Sequence, residues 1–75
     1  MFVQREGIFY DMRLTLHARQ RLAKRKIPVA RVREVIQRGR KVEYPQTIQF
    51  FYAGLKVVVS ALDNRIMTVY PLKRG

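Results

Sequence analysis

The chain has no cysteine, one histidine, three prolines, four glycines and only five acidic residues among 75. Without cysteine there are no disulfide staples and no thiolate metal site. One histidine and five scattered carboxylates offer no zinc or calcium constellation, so no metal site and no cofactor are expected. No apolar run approaches the roughly 20 residues of a membrane span. No signal peptide is visible at Met1 either, so the expectation is a cytoplasmic protein that does not enter a membrane. Repeats, linkers and low-complexity segments are missing too, and residues 1–75 read as one small domain. At this size a single core is only marginally sufficient. A hydrophobic content of 48% with eight aromatic residues is nonetheless rich enough to fold.

What the chain has in abundance is positive charge, +11 in all. Residues 1–41 carry twelve Lys/Arg against Glu6, Asp11 and Glu34. Residues 42–75 carry Lys56, Arg65, Lys73 and Arg74 against Glu43 and Asp63. Eleven of the sixteen cations are arginine, whose planar fork suits bidentate phosphate contact. Such a field attracts polyanions and repels its own copies. Membrane-surface binding would need large apolar side chains opposite the charges, and here those residues are needed for a core. RNA or another nucleic acid is the expected partner.

Two halves of different period follow. Ile8 to Thr15 mixes apolar and polar residues, with Phe9 and Tyr10 favouring a strand. Thr15 is placed to cap a helix over residues 16–26. Pro28 suits the first turn of a second helix over 29–38, with Gly39 as a left-handed cap. After Gly39 the period falls to two. Strands are expected over Lys41–Tyr44, Thr47–Tyr52, Leu55–Leu62 and Arg65–Tyr70, with Ala53-Gly54 and Asp63-Asn64 as two-residue turns. That register puts Ile48, Phe50, Tyr52, Leu55, Val57, Val59, Ala61, Ile66, Thr68 and Tyr70 on the core face. Phe51, Lys56, Val58, Arg65, Met67 and Val69 fall on the other. A bulge at Gly54 would flip the second of these strands. The predicted fold is α+β: an N-terminal strand, then a two-helix hairpin packed on an antiparallel meander of three to four strands.

On the first helix, residues four apart share a face, so His17, Arg21 and Arg25 form one ridge. An imidazole titrates near neutral pH and guanidinium forks fit phosphate oxygens, the pairing that phosphodiester cleavage needs. His17 also lies in the first helical turn, where the macrodipole disfavours imidazolium and favours a neutral ring able to act as a base. Arg21 is the candidate for transition-state charge and Arg25 for a second phosphate contact. The bland alternative is a solvated basic helix.

Helices and meander in this order resemble the RelE/ParE toxin superfamily of small basic cytoplasmic proteins. Within it, the chain is most similar to an uncharacterised domain family that opens with His-Ala-x-x-Arg and closes with Thr-Val-Tyr. The matching stretches are His17-Ala18-Arg19-Gln20-Arg21, Arg25-Lys26-Ile27-Pro28, Val57-Val58-Val59 and Met67-Thr68-Val69-Tyr70-Pro71, over roughly residues 14–72. Ile27-Pro28 departs from the Ile-Ser usual there. The resemblance implies a toxin-type, metal-independent ribonuclease that acts by positioning RNA on basic residues, together with an acidic antitoxin partner. Tyr70 or Thr68 would then orient the phosphate or supply a proton, against the alternative that both pack in the core with satisfied hydroxyls.

Phe51, Lys56 and Arg65 make a second candidate surface, since an aromatic flanked by cations on an exposed sheet holds single-stranded RNA. Arg31, Arg33, Arg38, Arg40 and Lys41 read as a general phosphate-attracting patch. A non-catalytic rival is a helix-turn-helix reading DNA through Arg31, Arg33 and Gln37, although such modules rest on a third helix and this chain offers a sheet. A partner-docking regulator is the remaining alternative, and the oligomeric state stays open.

Overall fold

The computed structural model describes residues 2–72, so Met1 and residues 73–75 of the expected domain lie outside the described residues. The elements are β1 (Phe2–Arg5), β2 (Ile8–Asp11), α1 (Leu16–Arg25), α2 (Val29–Arg38), β3 (Arg40–Glu43), β4 (Thr47–Tyr52), β5 (Leu55–Ser60) and β6 (Ile66–Pro71). Strands β3 to β6 form one antiparallel meander in chain order, and β1 and β2 form a separate hairpin. The architecture is α+β, as expected, with a hairpin where one N-terminal strand was foreseen. Its turn is Glu6-Gly7, both left-handed (φ 52° and 80°), the geometry that matches strand twist in a two-residue hairpin. Ala53-Gly54 repeats the device between β4 and β5 (φ 49° and 79°). Strand β2 stops at Asp11 rather than running to Thr15. Asp11 turns its carboxylate back to accept from the Arg13 backbone N–H at 2.8 Å, a local bond that competes with the ladder.

Helix α1 starts where Thr15 Oγ1 accepts from the Ala18 N–H at 3.1 Å and ends one residue early. Lys26 is its left-handed cap (φ 54°). Pro28 stands at the N-cap position of α2 rather than inside the first turn. Gly39 corrects a second expectation: its φ is −73°, extended and not left-handed. The residue is glycine because space is lacking. A β-carbon there would press on the carbonyl oxygen of Val35 and sit 2.9 Å from that of Phe51 on β4.

The helices cover one face of the meander, α2 against β1, β4 and β5, and α1 along β6. Tyr10, Val32, Ile36, Phe50, Val57, Val59, Ile66 and Val69 are all fully buried in this core. The Tyr10 and Phe50 rings meet edge to face at 5.3 Å. Arg5 ties the hairpin to α2: its Nη1 donates to the Ile36 and Gly39 carbonyls while its guanidinium lies over Phe50. A cation there satisfies carbonyls that the helix end leaves open. No helix among the described residues is long and apolar enough to cross a membrane.

The register of β4 and β5 is the expected one, with Phe50 opposite Val57 and Tyr52 opposite Leu55. Strand β6 differs. The loop after β5 is not a two-residue turn at Asp63-Asn64; the chain closes over residues 61–64, with the Ser60 N–H donating to Arg65 at 2.8 Å. Ala61 and Leu62, expected in the strand, are exposed, Leu62 almost completely. The register then shifts across Val58 and Val59: Val59 lies opposite Ile66 and Val58 opposite Thr68, which leaves Met67 of β6 as the unpaired, bulged residue. Ile66 and Val69 therefore reach the core, while Thr68 and Tyr70 turn to the outer face. The expectation that Thr68 and Tyr70 lie on the core face and Val69 outside is thus reversed, because one unpaired residue inverts every side chain after it. The foreseen risk of a bulge at Gly54 is not realised.

Asp11 joins the two sheets. Its N–H donates to Asn64 at 2.8 Å, and its nearly buried carboxylate faces Arg13 at 3.5 Å and Arg65 at 3.9 Å. The Arg13 backbone N–H above all, and then its guanidinium, hold this carboxyl below the usual 3.8 against the opposing effect of burial. A depressed folded-state value means stability that is present above the unfolded value and lost as pH falls through the folded one. Asp11→Asn should therefore flatten the acid limb of thermal stability below about pH 4. Wild type and variant melting in parallel from pH 5 down to pH 2 would contradict this.

Candidate functional site

The Thr15 cap sets the start of α1, and the helical repeat then aligns His17, Arg21 and Arg25 on its exposed side. A shallow cleft of about 290 Å³ runs along this ridge, lined by His17, Gln20, Arg21, Lys24 and Arg25. Arg21 Nε donates to His17 Nε2 at 2.9 Å. A ring nitrogen accepts such a bond only where it carries no proton of its own. For His17 to act as a base through Nε2, Arg21 must first turn towards another acceptor, and a phosphate oxygen is the natural one.

Arg21 reaches the meander as well. Its guanidinium carbon stands 5.0 Å from the centre of the Tyr70 ring, and Lys56 Nζ stands 5.2 Å from the same centre. The ring's negative face holds both cations in place. Tyr70 reaches them because the β5–β6 bulge turned it outwards, opposite Lys56. His17, Arg21, Tyr70 and Lys56 thus come from α1, β5 and β6 into one cluster, and no carboxylate is among them.

The remaining expected site residues separate. The Thr68 hydroxyl is buried with no hydrogen-bond partner, and the contacts that join the cluster do not include it. Arg25 lines the cleft. Arg31 is 3.6 Å from Glu34 on its own helix, and Arg33 lies exposed on α2 with interactions of its own. Arg65 leaves the surface imagined for it beside Phe51 and Lys56. It faces Asp11 at 3.9 Å and Asp63 at 4.0 Å beyond the end of β5. Arg40, read from sequence only as part of a diffuse patch, instead stands over Phe51 at 5.4 Å. Alternation of cations and aromatics on one face was the available signal, but it could not be assembled without the register of β6.

A helix pair packed on a four-stranded antiparallel meander, with a cationic cluster at the edge of β6, defines a small basic α+β domain. The chain belongs to the family described as Domain of unknown function (DUF4258), whose profile matches residues 14–71. A comparison with curated proteins finds no match.

Proposed function

We propose that this protein binds RNA and cleaves it without a metal ion, in the manner of the toxin-type ribonucleases its sequence resembles. The observation that carries the reading is the bond from Arg21 to His17 Nε2 in a cluster also holding Tyr70 and Lys56. It joins a potential base to a cation that can swap that base for a phosphate. When a phosphate oxygen draws Arg21 off the imidazole, His17 Nε2 is free to take the proton of a neighbouring 2′-hydroxyl. The 2′-oxygen attacks phosphorus, the bond to the 5′-oxygen breaks, and guanidinium and ammonium stabilise the added charge. The departing oxygen takes a proton from the Tyr70 phenol or from water. The products are a 2′,3′-cyclic phosphate and a 5′-hydroxyl. Thr68, with its hydroxyl buried, is left out of this scheme. An acidic protein partner would be the natural inhibitor of such a surface.

Labelled RNA incubated with purified protein and a chelator tests the reading. Cyclic phosphate ends should appear, DNA of the same sequence should resist, and binding should weaken steeply as salt rises, because each neutralised phosphate releases counterions. RNA left intact with and without divalent metals would end the cleavage reading. Intact RNA that is still bound in a salt-dependent way would identify a binding module instead.

A further inference from the structure

We infer that the outer face of the meander is a track for single-stranded RNA, running across the strands from Arg40 to the His17–Arg21 pair. The strand register carries the inference. Arg40 on β3 lies opposite Phe51 on β4, Phe51 opposite Lys56 on β5, and Lys56 opposite Tyr70 on β6. Arg21 on α1 extends the row beyond the sheet edge and ends on His17. Cation and aromatic alternate at every step, over three strand spacings of about 4.8 Å each before the helix is reached.

The two rings are not equivalent. Tyr70 already has two cations on it, so it serves to hold Arg21 and Lys56 where phosphates would pass. Phe51 is half-exposed with the Arg40 guanidinium over its ring; it is the platform on which a base can stack once that guanidinium shifts to a passing phosphate. The neighbouring row on the same face, Val42, Gln49, Val58 and Thr68, carries no charge, and Val58 and the Thr68 hydroxyl lie buried beneath its surface. A base leaving Phe51 therefore meets a neutral floor, while the backbone follows the cations. A duplex cannot use such a row, since its bases are already stacked on one another and turned inward. Arg65, held by Asp11 and Asp63, takes no part.

This track rests on the RNA-binding reading but not on cleavage, and the test separates the two. The chain has no tryptophan, so Phe51→Trp places a single fluorescent indole on the platform. The full chain with this substitution is titrated with a ten-nucleotide unstructured RNA, 2′-O-methylated to block cutting, and with a duplex of the same sequence. The single strand should quench the indole and the duplex should not. Phe51→Leu, which keeps apolar bulk and should keep the fold, is expected to bind the single strand about tenfold more weakly, within the usual range for one stacked base, and the duplex equally well. Equal quenching by both nucleic acids, or unchanged single-strand affinity in Phe51→Leu, overturns the track. Quenching that persists in protein unable to cut unmodified RNA supports the track and removes the cleavage reading alone.

Discussion

Replacing His17 with alanine is expected to slow RNA cleavage by about 10²–10⁴-fold, the usual worth of a positioned general base, while RNA binding stays close to wild type. The two effects part because His17 contributes a lone pair and no permanent charge. The cations of the cluster remain: Arg21 keeps its seat on Tyr70, and Lys56 keeps its own. The substitution lies on an exposed turn of α1, so the fold should not suffer. Arg21→Lys sharpens the test. An ammonium cannot both lie flat on the Tyr70 ring and present a guanidinium fork to phosphate, so cleavage should fall while the net charge is unchanged. Single-turnover rates with saturating protein separate chemistry from binding. A His17→Ala protein that cuts as fast as wild type removes the base assignment.

The largest structural effect is expected at Gly39. Alanine there would drive its β-carbon against the Val35 carbonyl and to 2.9 Å from the Phe51 carbonyl. Both obstacles are backbone, one in the last turn of α2 and one in β4, so neither can rotate away as a side chain could. Overpacking of this kind typically costs about 1–3 kcal/mol, and rigid neighbours place Gly39→Ala at the upper end of that range or beyond it. For 75 residues at about 0.05–0.15 kcal/mol each, the loss would be a large share of the total stability. Denaturant unfolding followed by circular dichroism measures it directly. A change under about 0.5 kcal/mol would show that α2 and β4 can part without penalty. The same shift would move Arg40 and Phe51, so single-strand binding should weaken alongside stability.

Much of this protein was legible in the order of its residues. Thr15 announced the start of α1, the change of period after Gly39 announced the meander, and Ala53-Gly54 announced the one turn whose register came out as read. These are local signals, in which a cap, a periodicity or a left-handed pair acts within four residues of itself. The ridge of His17, Arg21 and Arg25 is of the same kind, since helical geometry alone aligns it.

Other features depended on contacts between distant parts of the chain. The Glu6-Gly7 hairpin has the same left-handed pair as Ala53-Gly54, but its strands are four residues long and show little alternation to mark them. Gly39 looked like a helix cap, and only the approach of β4, twelve residues further on, revealed why a side chain is excluded. The four-residue loop at 61–64 and the bulge at Met67, opposite Val58 and Val59, decided the rest. Strand periodicity is two, so one extra residue reverses every side chain that follows. The sequence by itself determined the charge, the helices, the meander and the His17 ridge. Tertiary pairing alone turned Tyr70 outwards to meet Arg21 and Lys56, because a bulge is chosen by the neighbouring strand and by which residues the core can bury.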